Sequence, residues 1–207
     1  QAGGLAAAAG TIDGNKLAKS YLMLYFGEMA ADLNQLALKL GHGPGPADVE
    51  PLTLMLGALG RSFSAGAMIE SLREWDHAAR KMGSFFKNHD LYLTPTTAYP
   101  PAKIGELLPK PGEVVMMKAV SALKMGWLLR ISGIVDKMAQ RSLERTPFTQ
   151  VANLTGLPAM SVPLHWTPEG LPCGSQFIAP FGDEATLFRL AGQLERAQPW
   201  FDRRPPI

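Results

Sequence analysis

Apolar side chains recur at intervals of three and four residues along the amino-terminal part of the chain, a spacing that places them on one face of an α-helix. The first such stretch follows Asp13 and Gly14 and is predicted to end at Gly41, because glycine is typical of helix ends. Its apolar stripe comprises Leu17, Tyr21, Leu24, Met29, Leu33, Leu36 and Leu40.

Two further helices are predicted in this part of the chain. Asp48 should cap the second helix by accepting from the free amides of its first turn, and this helix should end near Gly60. Either Ser62 or Ser64 can cap the third helix. The apolar stripe of the third helix comprises Met68, Leu72, Trp75, Ala79, Met82 and Phe86.

The middle of the chain changes character twice. Residues 91–94 form a short apolar run before Pro95, which predicts a buried strand that leaves the sheet at the proline. Residues 99–111 are predicted to be an irregular loop, and residues 113–145 another long helix that Gly126 and Gly133 bend or break. The stripe of this helix comprises Met116, Val120, Leu123, Trp127, Ile131, Val135 and Met138.

The carboxy-terminal part has the pattern of a β-hairpin followed by a helix. Residues 160–164 and 173–179 are predicted to be paired strands, and Asp183 should cap the last helix, which carries Leu187 and Leu194. The order of elements is helices, strand, helix, hairpin and helix. This order predicts an α/β fold in which helices flank a β-sheet.

Composition excludes several classes of protein. The chain has 207 residues, of which 46% are hydrophobic and 18% charged, so it is long enough and apolar enough to bury its own core. Its net charge is only +2 and its basic residues are scattered, which argues against nucleic-acid binding. Cys173 is the only cysteine, so no intrachain disulfide can form and a reducing compartment is favoured.

Membrane insertion and secretion are not expected either. The longest apolar stretch, at residues 119–135, is interrupted by Lys124 and Arg130, each of which costs about 2.5–3.5 kcal/mol at the centre of a bilayer. Residues 1–10 contain no basic region before their apolar run, so they do not resemble a secretory signal. We therefore expect a cytoplasmic protein, and we expect the natural sequence to continue upstream.

The residues alone offer weak candidates for catalysis. Ser121 and Lys124 have the spacing at which a lysine can deprotonate a serine nucleophile, but a polar position on an amphipathic helix is the favoured interpretation. The four histidines are dispersed and have no cysteine or carboxylate at a metal-ligand interval, so no metal is assigned. No nucleophile elbow and no phosphate-binding loop is found.

A longer set of residues resembles the amidase-signature family. The downstream part of the pattern runs from Pro147 and Phe148 through Asn153, Thr155, Gly156, Leu157, Pro158, Ser161, Val162 and Pro163 to Gly170, Leu171, Pro172, Gly174 and Gln176. Residues 90–96, read Asp-Leu-Tyr-Leu-Thr-Pro-Thr, resemble the strand of that family and the start of the loop after it. The resemblance extends over nearly the whole chain and includes bacterial amidases of the 6-aminohexanoate cyclic dimer hydrolase type.

The resemblance implies hydrolysis of linear or cyclic carboxylic amides through a serine acyl-enzyme, with a second serine and a lysine relaying the proton. In that family these residues lie in segments upstream of the region that this chain matches. Ser121, Lys124, Ser161 and Ser175 do not have the matching contexts, so no catalytic residue is assigned. The resemblance implies no cofactor. It also implies that residues 1–207 form the carboxy-terminal part of one amidase-signature domain, with an α/β fold.

The same resemblance implies that this part of the fold supplies a wall of the acyl-binding channel. The expected wall residues are Thr94, Pro95 and Thr96, with Phe148 and Asn153 as further candidates. Each also has a purely structural interpretation, because prolines end strands, threonine favours β-structure and asparagine satisfies turns.

The Met-rich stripe of the fourth helix, with Trp127, would then lie at the substrate entrance as a lid. Core packing is its other interpretation.

Two functions remain open at this point. The first is a fragment of an amidase that acts on a small-molecule amide once it is joined to its amino-terminal half. The alternative is a non-catalytic binding or scaffold subunit that uses the retained half of the fold. Because a sheet cut through its middle exposes an edge and an apolar face, a chain on its own is expected to form a homodimer.

Overall fold

The computed structural model describes residues 12–109, 111–122, 133, 137 and 144–205. The described elements are, in chain order, α1 (Gly14–Leu40), α2 (Pro51–Gly60), α3 (Ala65–Phe85), β1 (Tyr92–Pro95), α4 (Pro111–Ala122), α5 (Thr149–Thr155), β2 (Ala159–Trp166), β3 (Pro172–Ile178) and α6 (Glu184–Ala197). The predicted α/β class is confirmed. The described residues fall into two compact units, one within Gln1–Gly14, Trp75–Lys103 and Arg141–Ile207, and the other within Asn15–Glu74 and Ile104–Gln140.

The helical unit is built around α1 and α2. Its buried core comprises Leu22, Phe26, Met55, Leu56 and Leu59, and Met117 of α4 packs against it. Phe26 and Leu59 are completely buried. The predicted stripe of α1 contains Leu17 and Leu33, which are buried, but it omits Leu22 and Phe26. The predicted stripe was incomplete because α1 buries a broad part of its surface. A stripe of residues spaced by three and four covers only one narrow line of contact along a helix.

Close approach between α1 and α2 depends on a glycine. A Cβ built on Gly60 would overlap the backbone carbonyl of Phe26 and lie 3.2 Å from Cβ of Ala30. Because backbone atoms cannot move aside as a flexible side chain can, only glycine fits at this crossing.

The ends of α1 and α3 follow the sequence predictions. Gly41 ends α1 with a φ of 74°, in the left-handed region that glycine adopts without steric cost. Ser64 accepts a hydrogen bond from the backbone N–H of Ala67 at 3.2 Å, so it is the capping serine of α3. The alternative, Ser62, instead donates to the carbonyl of Leu59 at 2.7 Å.

The predicted capping role of Asp48 is wrong. Its carboxylate accepts from the backbone N–H of Gly45 at 2.8 Å, within the turn that precedes the helix. The helix begins at Pro51 with Glu50 at the N-cap position and no capping side chain. Proline at the first helical position has no N–H to satisfy and has a φ already suited to a helix, which explains the later start.

The buried face of α3 differs from its predicted stripe. Ser71, Ala78 and Met82 are buried, whereas Leu72 is 39% exposed. Ser71 satisfies its hydroxyl by donating to the carbonyl of Ala67 and to the sulfur of Met23. An apolar pattern could not identify a buried serine as part of the contact face.

The sheet unit contains a three-stranded antiparallel sheet with strand order β1-β3-β2. The predicted hairpin is confirmed, with a bulge in β2 between Val162 and His165. The predicted buried strand at 91–94 is β1, but its burial alternates: Tyr92 and Thr94 are buried, and Leu93 and Pro95 are exposed.

Helix α6 covers the apolar face of the sheet. The packed side chains on this side are Val162, Phe177, Ala179 and Leu187, with Leu91, Met160, Leu164, Leu190, Leu194 and Trp200 around them. Asp183 caps α6 as predicted, because its carboxylate accepts from both the backbone N–H and the hydroxyl of Thr186, at 3.3 and 2.7 Å.

The predicted helix at 113–145 is described only over α4 and at isolated positions. Gly133 has a φ of 71°, outside the right-handed helical region, which agrees with the break predicted there. Lys124 and Trp127 lie outside the described residues, as does the side chain of Ser121, so their roles stay predictions.

No single helix within the described ranges has both the length and the apolar composition to cross a bilayer. The α2–α3 pair, bent by 97°, meets the two criteria only when its helices are taken together.

The crossing of α1 and α2 gives a stability prediction. Gly60→Ala should lower the free energy of unfolding by about 1–3 kcal/mol, because the new methyl group overpacks the crossing. Gly83→Ala is the matched control, since a Cβ at Gly83 in α3 meets nothing within 4 Å. It should leave stability unchanged or raise it by up to about 1 kcal/mol. Urea denaturation of both variants tests this, and equal destabilisation would contradict the close approach.

Candidate active-site wall

The sheet has a polar face opposite the one that α6 covers. Thr94 and Ser161 are both direct register partners of Gln176, on β1 and β2 respectively. Directly opposed residues in antiparallel strands point to the same face, so the three side chains form one row. Thr94 and Gln176 are buried, and Ser161 is exposed. We call Thr94, Gln176 and Ser161 the polar row.

Gln176 joins three segments that are far apart in sequence. Its side-chain amide nitrogen donates to the hydroxyl of Thr94 at 3.4 Å and to the backbone carbonyl of Phe148 at 3.3 Å. Phe148 is the N-cap residue of α5. The start of α5 is therefore tied to the centre of the sheet through one side chain.

A pair of hydroxyl groups continues the polar face beyond the end of β1. The hydroxyl oxygens of Thr96 and Ser161 are 2.6 Å apart, and the backbone N–H of Thr96 donates to the carbonyl of Gly174 at 2.9 Å. A Cβ at Gly174 would collide with both hydroxyls, so the pair exists only because this position has no side chain.

The loop after β1 is held against the segment before α5. The N–H of Ala98 donates to the carbonyl of Arg145 at 2.8 Å, and the Arg145 guanidinium donates to the carbonyl of Pro100 at 3.2 Å. The same guanidinium lies 5.6 Å from the centre of the Tyr99 ring. Residues 94–100 and 145–148 thus form one continuous surface, which we call the wall.

Four of the predicted site residues lie within the wall, namely Thr94, Pro95, Thr96 and Phe148. Pro95 is exposed and, by strand alternation, lies on the face opposite Thr94. Asn153 is exposed on α5 and takes no part in the hydrogen bonds that hold the wall. Trp127 cannot be placed, because it is not among the described residues.

Sequence reasoning did not include Ser161, Gly174 or Gln176 among the candidate site residues. Gly174 and Gln176 are two residues apart in a strand, and this spacing already predicts that they share a face. Their pairing with Ser161 and Thr94 depends on strand register, which periodicity does not reveal.

Gln150, in the first turn of α5, has a buried side-chain oxygen. Among the described residues this oxygen has no hydrogen-bond partner. A buried acceptor without a donor costs about 1–3 kcal/mol, so the position favours a partner that supplies an N–H or O–H group.

The chemistry of the polar face is that of neutral hydrogen-bonding groups. The described partner of the Ser161 hydroxyl is another hydroxyl, which is too weak a base to activate a serine. Burial raises the pKa of Tyr92, which keeps its phenol neutral at physiological pH. Within the described ranges, no three His, Cys, Asp or Glu side chains are grouped as a metal ion would need. The face can therefore orient a neutral polar group.

Comparisons with known proteins identify the family of the chain. The sequence profile of the amidase family matches residues 13–188. The lipoamidase of Enterococcus faecalis is 31% identical over 184 residues, which is 89% of this chain and 25% of that protein.

Two solved structures share the fold. The structure of 6-aminohexanoate cyclic dimer hydrolase matches 96% of this chain and 37% of its own, with a TM-score of 0.77 and 25% identity. A bacterial aryl acylamidase of the amidase-signature family matches 93% of this chain and 36% of its own, with a TM-score of 0.63 and 18% identity. The chain thus spans between 25% and 37% of the length of these relatives. The family profile covers most of the sequence and the fold agrees with it, and so this chain belongs to the amidase family.

Proposed function

We propose that this chain is the carboxy-terminal part of an amidase that hydrolyses linear or cyclic carboxylic amides of small molecules. The match of the amidase profile to residues 13–188 is the observation that carries the proposal. The reaction proceeds through a serine acyl-enzyme whose nucleophile, second serine and lysine belong to an upstream part of the protein. The chemistry of the polar face supports this division, since its neutral groups suit binding better than proton transfer.

The wall is proposed to contact the substrate beside the reacting amide. Two hydroxyls in contact share one hydrogen between them, which leaves the other O–H group free to donate to a ligand. Thr96 and Ser161 are both accessible enough to offer that group, whereas Thr94 is buried and shapes the surface from behind. A neutral carbonyl of the substrate matches this donor, and a carboxylate or phosphate would find no paired charge there.

The activity itself is tested with the whole protein beside residues 1–207. The whole protein should hydrolyse at least one member of a panel of aliphatic, aryl and cyclic amides, and the shorter chain should be inactive, because the acyl-enzyme serine lies outside it. Ammonia or amine release measures both, with intact mass confirming each species. An inert whole protein that folds normally would favour the non-catalytic subunit, and an active shorter chain would mean that its nucleophile lies within these residues.

The hydroxyl pair gives a second prediction. Ser161→Ala in the whole protein should raise KM about 2- to 10-fold with little change in kcat, which corresponds to loss of one hydrogen bond of about 0.5–1.5 kcal/mol made equally in ground and transition states. Ser175→Ala is the matched control, because Ser175 is on the next strand and its side chain points to the opposite face. Steady-state kinetics measures both variants. Equal KM values for the two would show that the Ser161 hydroxyl makes no contact with the substrate.

A further inference from the structure

We infer that Gln176 is a positioning residue for the amide hydrolysis proposed above, because its side-chain amide fixes the wall residues Thr94 and Phe148 relative to each other. The inference rests on the proposed function and adds a residue that touches neither the substrate nor the reacting serine. The Gln176 side chain is buried and donates to two acceptors in different segments of the chain.

One planar group sets both contacts. The two hydrogens of a carboxamide lie in one plane at a fixed angle, so an amide that donates to two acceptors fixes both directions at once. Thr94 is 82 residues from Gln176 in sequence, and Phe148 is 28 residues away. Removing the amide would leave the carbonyl of Phe148 and the hydroxyl of Thr94 without this common donor.

The net contribution of Gln176 to stability is small. Gln176 is 5% exposed, and the next residue on the same face of β3, Ile178, is completely buried. Burying a carboxamide costs free energy, and hydrogen bonds of 3.3 and 3.4 Å are at the long end of the range and recover only part of it. An apolar side chain of similar volume would avoid that burial cost but would leave the Phe148 carbonyl without this donor, so the two effects oppose each other. What the glutamine adds is the orientation of both acceptors.

The wall has a second attachment that makes Gln176 effective. Arg145 binds the loop after β1 through Ala98 and Pro100. Gln176 binds the other end of the wall through Thr94 and Phe148. Arg145, at one end of residues 145–148, is therefore bound to the loop after β1. Phe148, at the other end, is bound to Gln176 of β3. Loss of the Gln176 contacts would release one end while the other stays attached, so the wall would shift without unfolding.

The experiment compares Gln176→Met with Gln198→Met in the whole protein. Methionine has nearly the volume of glutamine and no donor. Gln198 is the matched control, because its side-chain amide donates to the carbonyl of Leu164 at 2.8 Å, away from the wall. Gln176→Met should lower kcat/KM at least about 10-fold, mostly through kcat as expected for misplaced substrate, with at most a modest fall in Tm that leaves the protein folded at the assay temperature. Gln198→Met should keep kcat/KM within about twofold of wild type.

Hydrogen exchange gives a readout that does not need activity. Backbone amides in residues 94–98 and 145–150 should exchange faster in Gln176→Met than in wild type or in Gln198→Met. If wild type hydrolyses no amide but exchange changes in this way, the proposed function fails and the positioning contact stands. If exchange and kcat/KM are both unchanged, the inference is wrong.

A second variant covers the case in which Gln176→Met folds poorly. Gln176→Glu keeps the shape, and its carboxyl can donate one hydrogen bond only when it is protonated. Burial raises the pKa of a carboxyl group, so the kcat/KM of this variant relative to wild type should recover as pH falls through that raised value. A ratio that is independent of pH, or a Tm loss that alone accounts for the activity loss, would overturn the inference.

Discussion

The sheet unit depends on β3, the strand that pairs on both of its sides among the described strands. Alternation along β3 sends Phe177 to the face that α6 covers and Gln176 to the polar face. The register that places Phe177 under α6 also places Gln176 in the polar row, because a slip of one residue would exchange the two faces. The same strand register thus determines where the hydrogen-bonding groups of the polar row lie.

The two faces of the sheet differ in composition. The face under α6 is apolar and supplies stability, whereas the other face combines the buried Tyr92 and Ile178 with polar side chains whose net contribution to folding is small. The wall is assembled beside this sheet from the end of β1, the loop after it and the start of α5. Under the proposed function, the reacting groups upstream carry the proton transfers, and the neutral wall orients the substrate.

Much of the fold could be predicted from the sequence because its signals are local. The spacing of apolar residues located α1 and α3, and two strand-like runs on either side of a turn located the hairpin. Gly41 and Asp183 act where their chemistry predicts. The predictions were wrong where a helix start or a contact face depended on a residue outside the apolar pattern. Helix α2 begins at Pro51, and Asp48 does not cap it. The contact face of α3 includes the buried Ser71, which an apolar stripe does not contain.

The candidate site was less predictable, because it is built from contacts between distant segments. Family resemblance pointed to Thr94, Thr96 and Phe148, whereas Ser161 and Gln176 join them only through strand pairing. The contact between the Thr96 and Ser161 hydroxyls also requires that Gly174 has no side chain. This requirement cannot be recognised from the sequence until the pairing of the strands is known.

If the wall faces the substrate of an amidase, a crystal structure of the whole protein with a hydrolysis-resistant analogue of its best amide substrate will show the contact. A polar atom of the analogue should lie within hydrogen-bonding distance of the Thr96 or Ser161 hydroxyl, with residues 145–148 alongside. An analogue bound beside a catalytic serine but out of contact with residues 94–100, 145–148 and 161 would contradict it.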